Sequence, residues 1–266
     1  NRGFMMFSHN KVAIIIRTGT AGTLLHTGPL TIHRITTKNP SSKSKGARDD
    51  CYTLTITLLL PDTTTAAISS TYIPSNTDNA TSATRDAITT HHLKVNAHTH
   101  SHTHAAIAMD ANETTHSRCR WRTPSPNPAH PNRTFTGNAT HHPTFACYLE
   151  ELHDAHQHHN PTLYTPPSIP LSGAYTCTSR QSDMMSHPYT FSKIDYVLLS
   201  PSLLTRMQRG GSCTYPTDFP PNLHSSNFHT PITVTIPWPD IWTPASARTD
   251  PPLPPPRAPG PIYGTG

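Results

Sequence analysis

The sequence predicts a mixed α/β or β-sandwich fold. Short apolar segments rich in β-branched residues are typical of strands, and they occur along most of the chain, whereas only two segments have helical periodicity. Many strands with few helices, together with a non-local strand order, indicate this layout. The predicted strands are residues 11–17, 30–36, 53–60, 65–72, 105–110, 194–200 and 231–236, and the predicted helices are residues 78–92 and 145–156.

The composition limits how much of the chain can belong to a core. The 266 residues are 33% hydrophobic and 13% charged, with 29 prolines and 20 histidines. Globular domains average about 45–50% apolar and about 25% charged residues. We therefore expect one domain over residues 1–240, with low-complexity insertions at 39–50, 94–104 and 113–142, followed by a proline-rich disordered tail at 241–266.

Charge and targeting signals narrow the class of protein. The net charge of +5 and the pI near 9.0 favour an anionic partner such as nucleic acid. No segment has the roughly 18 apolar residues that a membrane helix needs, and no signal-peptide core is present. These features predict a nuclear or cytoplasmic protein that is neither secreted nor membrane-bound. Because the chain starts at Asn1, we expect a fragment of a longer protein.

Histidines and cysteines offer no clear metal site. The alternating His98, His100, His102 and His104 could bind a transition metal, but no carboxylate or thiolate completes the set, which favours a solvated loop. The five cysteines are widely spaced, and this spacing predicts free thiols in a reducing compartment.

The segment Ser-Lys-Ile-Asp-Tyr-Val-Leu-Leu-Ser at residues 192–200 places Asp195 inside an apolar strand. Burying a carboxylate is unfavourable unless another group pairs with it, so Asp195 needs a partner. Other polar residues also lie where an apolar segment stops, which is where sheet proteins collect active-site residues. These residues are Tyr72, Asp110, Asn112 and His229.

In order and spacing these pieces resemble the endonuclease/exonuclease/phosphatase superfamily, and within it the abasic-site endonucleases and the endonuclease domains of LINE-type retrotransposons. The family pattern is Gly-Asp-Phe/Leu-Asn, Ser-Arg-Ile-Asp-Tyr and Ser-Asp-His-x-Pro-Ile, and this chain keeps the second with Lys193 in place of arginine. Asp154, Pro161 and the Tyr164-Thr165 pair also resemble the retrotransposon subgroup. The resemblance covers roughly residues 12–236 and implies a four-layer α/β sandwich with two mostly antiparallel mixed sheets, missing its first strands.

The resemblance also implies residue roles. His229 would contact the scissile phosphate, and a hydrogen bond from Asp195 would orient the imidazole and raise its pKa. Asp110 would orient or deprotonate the attacking water, Asn112 would hold phosphate oxygens or that aspartate, and Tyr72 would donate to a phosphate oxygen. A divalent metal, Mg²⁺ or Mn²⁺, would neutralise the developing charge. Taken alone, each residue also fits an ordinary strand-end or loop position.

The chain departs from the family pattern in two places. The early asparagine and metal-binding glutamate of the family, which precede the segment matching residues 11–16, have no counterpart. The aspartate before the last histidine is replaced by Asn227 or Phe228, which leaves Asn227 as a weak candidate metal ligand. These departures predict an incomplete metal site and slow or no nicking of plasmid in Mg²⁺, which grafting a glutamate-bearing N-terminal segment should raise.

The implied function is metal-dependent hydrolysis of phosphodiesters in DNA by the endonuclease module of a retrotransposon-type polyprotein, with a reverse transcriptase region elsewhere in the parent protein. One alternative is a catalytically inactive remnant of such a domain. A second is a phosphatase of the same superfamily, which the retrotransposon-like Tyr-Thr segment argues against. An intact upstream strand bearing the asparagine and glutamate would favour the active enzyme, and a stop codon there would favour the remnant.

Overall fold

The computed structural model describes residues 3–17, 23–32, 50–60, 63–73, 87–92, 94–95, 104–112, 114, 119–127, 129–135, 152, 175–180, 185–214 and 227–237. The strands of this part of the chain are β1 (Phe4–His9), β2 (Val12–Arg17), β3 (Thr23–Ile32), β4 (Cys51–Leu59), β5 (Thr65–Tyr72), β6 (His104–Asp110), β7 (Arg120–Thr123), β8 (Thr134–Phe135), β9 (Cys177–Arg180), β10 (Tyr189–Ser192), β11 (Asp195–Leu199), β12 (Ser212–Thr214), β13 (Asn227–His229) and β14 (Thr233–Thr235). A helix spans Pro201–Gln208, and residues 87–92 and 94–95 are also helical. The fold is mixed α/β, with several sheets and few helices among these residues.

A central five-stranded sheet has the strand order β11-β6-β5-β4-β3. Strands β5 and β6 run parallel, and the other neighbours in this sheet are antiparallel. Because β5 and β6 are parallel, their carboxyl ends meet at one edge of the sheet, and β11 begins at that same edge. This edge brings together the ends of three strands that are far apart in the sequence.

The second five-stranded sheet is antiparallel and has the strand order β13-β9-β10-β7-β8. Its aromatic side chains pack together: the rings of Trp121 and Phe191 are stacked 5.9 Å apart, and Tyr175 meets Phe191 edge-on at 4.9 Å. Two smaller pairs of strands, β1-β2 and β12-β14, complete the described sheets.

Both faces of the central sheet are covered by apolar side chains. On one face, residues of β6 and β11 pack against Ile88 of the helical segment and against Leu152. On the other face, alternate residues of β2 pack against alternate residues of β4: Val12, Ile14 and Ile16 against Leu54, Ile56 and Leu58. The hairpin β1-β2 is therefore fixed to the sheet by a small apolar core of its own.

The structure agrees with the sequence for the main strands of the central sheet. The strand predicted at 65–72 has those bounds, and those predicted at 53–60, 105–110 and 194–200 differ from β4, β6 and β11 by at most two residues at either end. Of the strand predicted at 30–36, residues 30–32 form the end of β3, which begins at Thr23, and residues 33–36 lie outside the described residues. The described part of the predicted helix at 78–92 is helical, and only Leu152 of the helix predicted at 145–156 lies within the described residues.

Two of the predicted insertions need correction. The stretch 113–142 contains β7 and β8, which are strands of the second sheet, and Trp121 in β7 is 2% exposed. Its prolines follow β7 and precede β8, so they mark a loop within the sheet and not an insertion outside it. His104, assigned to the insertion 94–104, is the buried first residue of β6. Residues 39–49 and the tail 241–266 lie outside the described residues.

The cysteines agree with the prediction of free thiols. Cys51, Cys119, Cys177 and Cys213 are unbridged, and the first three of them are buried. Cys147 lies outside the described residues, as do His98, His100 and His102. None of the helices in the described part of the chain is long and apolar enough to cross a membrane.

Candidate active site

Tyr72, Asp110 and Asp195 lie side by side on three neighbouring strands. Asp110, the last residue of β6, is in register with Tyr72, the last residue of β5, and with Asp195, the first residue of β11. Residues in register share a face of a sheet, so the phenol and both carboxylates project in the same direction. All three are partly exposed, whereas the residues next to them along each strand are buried.

His229 is brought to this row by the second sheet. It is the last residue of β13, and its Nδ1 lies 3.0 Å from Oδ2 and 3.1 Å from Oδ1 of Asp195. The hydrogen bond to Asp195 and a second one to Cys177 raise the pKa of His229 to about 11, against a smaller opposing effect of burial. The partner expected for Asp195 is therefore present, and at neutral pH the two form an ion pair.

Asp110 is the other carboxylate of the cluster. Burial, and to a smaller extent the nearby Asp195 carboxylate, raise the pKa of Asp110 to about 6, whereas the charge of His229 and the hydrogen bonds from Asn112 oppose this shift. One ligand atom from each of Asp110, Asp195 and His229 can be chosen so that all lie within 4.8 Å of one another. The two carboxylates of this group could hold a metal ion, whereas a protonated His229 could not act as its ligand.

Asn112 supports Asp110 and does not line the cavity described below. Its backbone N–H donates to Oδ1 of Asp110 at 3.0 Å, and its side-chain Nδ2 donates to the carbonyl oxygen of Ile73 at 2.8 Å. Its backbone has φ of 51°, a left-handed conformation that asparagine tolerates better than most residues. Of its two expected roles, this geometry fits the one in which Asn112 holds the aspartate. Asn227 lies in β13, and its side chain is outside the described part of the structure.

Tyr72 contacts both an aromatic ring and a cation. Its ring stacks on that of Tyr52, with centroids 6.5 Å apart and an interplanar angle of 26°. On the hydroxyl side, Nζ of Lys11 donates to the Tyr72 hydroxyl at 3.2 Å and lies 4.4 Å from the ring centroid. The sequence alone gave no reason to associate Lys11 with this site.

Thr176, which the sequence analysis missed, fixes the backbone beside both members of the ion pair. It is fully buried, and its Oγ1 accepts hydrogen bonds from the N–H groups of Ile194 and Asp195, each at 3.0 Å. Its carbonyl oxygen accepts from the N–H of Thr230 at 2.7 Å, directly after His229. One residue therefore positions the backbone that carries the carboxylate and the backbone that carries the imidazole.

A signal in the sequence could have identified Thr176. The Tyr164-Thr165 pair that resembles the retrotransposon subgroup lies outside the described residues, as do Asp154 and Pro161. A second Tyr-Thr pair occurs at 175–176, nearer to the Ile-Asp-Tyr motif and directly before β9. The later pair is the one that contacts the site.

The row and its histidine line an open cavity of about 470 Å³. Tyr72, Asp110, Asp195 and His229 all contribute to its wall, and Lys11 lies at the same cavity. Binding sites for small molecules usually have volumes of about 300–1,000 Å³. The cavity could therefore hold a group such as a nucleotide phosphate against both carboxylates, the imidazolium and the ammonium.

No protein-family model and no curated protein matches the chain. Among solved structures, an endonuclease/exonuclease/phosphatase family protein from Bacteroides thetaiotaomicron is similar over 71% of this chain and 66% of its own, with 10% identity and a TM-score of 0.34. The crystal structure of ANGEL2, a 2′,3′-cyclic phosphatase, is similar over 89% of this chain and 66% of its own, with 10% identity and a TM-score of 0.36. The chain thus spans just under two thirds of each of these proteins.

Proposed function

We propose that the chain belongs to the endonuclease/exonuclease/phosphatase superfamily and hydrolyses phosphodiester bonds with the help of a divalent metal ion, as the DNA endonuclease module of a retrotransposon-type polyprotein. The observation that carries this proposal is the meeting of Tyr72, Asp110, Asp195 and His229 at one cavity. Separate sequence motifs predicted these four residues. Tyr72, Asp110 and Asp195 lie in register on three strands of the central sheet, and His229 reaches Asp195 from an edge strand of the second sheet.

His229 supplies positive charge for the phosphate. Because its pKa is raised to about 11, the imidazole is protonated at neutral pH and Asp195 keeps the ring oriented through Nδ1. Hydrolysis of a phosphodiester adds negative charge to the non-bridging oxygens in the transition state. A fixed cation next to these oxygens stabilises that charge without having to reorganise.

Asp110 is suited to act on the attacking water. With a pKa of about 6 it is mostly ionised at neutral pH, yet basic enough to accept a proton. The water oxygen forms the new bond to phosphorus, its proton passes to Asp110, and the bond from phosphorus to the leaving oxygen breaks. Tyr72 lies in register with Asp110, and its hydroxyl group can donate a hydrogen bond to a phosphate oxygen.

The donor set fits a hard divalent cation such as Mg²⁺ or Mn²⁺ in part. Carboxylate oxygens are the ligands these ions prefer, and Asp110 and Asp195 supply them, whereas Nδ1 of His229 is already bonded to Asp195. The proximity of Asp195 raises the pKa of Asp110, and a bound cation would relieve this repulsion. When bound, the ion would neutralise charge on the phosphate and the leaving oxygen.

DNA is the substrate that the chain-wide features favour. A net charge of +5 and a pI near 9.0 suit a polyanion, and the Ser-Lys-Ile-Asp-Tyr motif resembles that of the retrotransposon endonucleases. The polyprotein context, with a reverse transcriptase region in the parent protein, follows from the same motif.

Nicking of supercoiled plasmid, with the protein in excess, tests the proposal. We expect slow nicking in Mg²⁺ or Mn²⁺ that EDTA abolishes and that Asp110→Asn and His229→Ala each reduce about 100-fold. Asp50→Asn makes the same charge change away from the cavity and should keep the activity. Equal nicking by the wild type and both site variants would reject the proposal and leave the inactive remnant as the explanation.

A further inference from the structure

The turn that joins β1 and β2 carries Lys11 to the edge of the candidate site. β1 ends at His9 and β2 begins at Val12, so only Asn10 and Lys11 lie between them. Asn10 adopts a left-handed conformation with φ of 50°, which reverses the chain in two residues. The side chain of Lys11 is exposed, whereas that of Val12 is buried against the central sheet.

Several contacts fix this turn against Tyr72. His9 meets the ring of Tyr52 edge-on at 5.9 Å, and its Nε2 lies 2.7 Å from Oγ1 of Thr31. Tyr52 in turn stacks on Tyr72, which accepts the hydrogen bond from Lys11. The ammonium is thus placed by the backbone of a packed hairpin and by an aromatic stack, which reduces the entropy that a long side chain loses when it binds a ligand.

We propose that Lys11 and Tyr72 form a phosphate subsite that binds the backbone of the substrate without a metal ion. This inference rests on the proposed function, since it assigns a phosphodiester as the ligand of the same cavity. To the residues of the proposed active site it adds Lys11 of the β1-β2 turn. Lys11 and Tyr72 would bind a phosphate independently of the carboxylates.

The geometry of the hydrogen bond supports this assignment. Because the Tyr72 oxygen accepts from Lys11, the phenolic proton must point elsewhere, and the row of site residues lies on the same face. Lys11 is exposed and lines the cavity, so its ammonium lies where a ligand of the cavity can reach it. A phosphate oxygen near both groups could therefore accept from the phenol and from the ammonium together, and bonds from charged donors are the stronger ones.

Binding of DNA in EDTA tests the inference apart from catalysis. The probe is a fluorescein-labelled 12-base-pair duplex, titrated with the full chain and followed by fluorescence anisotropy at several salt concentrations. We expect Lys11→Met to raise Kd roughly tenfold at low salt and to reduce the slope of log Kd against log salt by about 0.9. Lys11→Arg should restore most of both. Lys94→Met removes an exposed lysine outside the cavity and should change Kd by less than about twofold.

The outcomes separate this inference from the proposed function. Equal losses for Lys11→Met and Lys94→Met, no loss for Lys11→Met, or no binding of the duplex by the wild type would each overturn the subsite. Plasmid nicking that depends on Asp110, together with unchanged binding by Lys11→Met, would reject the subsite and keep the proposed function. Binding that depends on Lys11, without nicking, would keep the subsite and reject the enzyme.

Discussion

The ion pair of Asp195 and His229 makes a prediction that does not depend on catalysis. Asp195→Asn keeps the shape of the side chain and an oxygen that can accept from Nδ1 of His229, but it removes the negative charge. The backbone of residue 195 stays bonded to Thr176, because that bond uses the main-chain N–H. The variant should therefore keep its fold and change mainly the protonation of His229.

The size of the change follows from the pKa of His229. A pKa of about 11 leaves only about one imidazole in a thousand neutral at pH 8. The Asp195 hydrogen bond is the largest cause of the raised value, and the bond to Cys177 is the second. Without the carboxylate we expect the pKa to fall back towards the ordinary 6.5, so that neutral imidazole becomes a major species at pH 8.

NMR titration of the imidazole C–H resonances in EDTA measures this directly. His229→Gln identifies the resonance, and Asp50→Asn provides the same loss of charge outside the cavity. The wild type and Asp50→Asn should show no titration of His229 below pH 9, whereas Asp195→Asn should show it near neutral pH. A wild-type His229 that titrates near 6.5, or an Asp195→Asn variant whose His229 still resists deprotonation at pH 9, would refute the pairing.

Further predictions concern stability, measured by urea unfolding in EDTA. Thr176→Val leaves one buried and one part-buried N–H group without their acceptor and should cost about 2–4 kcal/mol, with Thr176→Ser close to wild type. Equal stability of the two variants would argue against the hydroxyl contacts. Asp110 has a folded pKa raised from 3.8 to about 6, so its favourable contribution is present at low pH and lost as pH rises through 6. Relative to Asp110→Asn, the wild type should therefore lose up to about 3 kcal/mol between pH 4 and pH 8, and parallel pH profiles would contradict this. Gly211→Ala should destabilise the fold by several kcal/mol, because a Cβ there would collide with backbone atoms of Met207 and Thr235. Gly210→Ala should change stability by less than about 1 kcal/mol, because the nearest atom to its added Cβ is 3.9 Å away. Similar losses in both variants would refute this packing.

The sequence was informative where a polar residue lies at the end of a strand that contains an apolar run. β6 ends at Asp110 and β11 begins at Asp195, and β5 ends at Tyr72. Such residues stand out in the sequence because burying an isolated polar group at the end of a strand is unfavourable unless another group bonds to it. The same criterion found His229, which opens the segment leading to β14.

The criterion could not find Lys11 or Thr176. Lysine in a hairpin turn is ordinary in any sequence, and its role depends on the packing of β2 on β4, which brings the turn to Tyr72. Thr176 is one of many threonines in this chain, and its hydroxyl matters only because β9 lies between β10 and β13 in the second sheet. The insertion assigned to 113–142 was wrong for a related reason: proline-rich composition describes the loop between β7 and β8 but hides the short strands on either side.

Under the proposed function, the charges of the cavity assign substrate binding and bond cleavage to partly different groups. The charge of Asp195 is balanced by His229, whereas the Asp110 carboxylate is bonded to Asn112. A phosphodiester in the cavity would then meet two cations, His229 on the second sheet and Lys11 on the hairpin, and two carboxylates, of which Asp195 is paired with His229 and Asp110 repels the phosphate. Cations on two separate elements can bind the phosphate while Asp110 is still uncompensated, and a divalent ion is needed only when Asp110 must act close to that phosphate. Binding should then persist in EDTA and cleavage should not, and a single titration of metal into a preformed complex with DNA would separate the two steps.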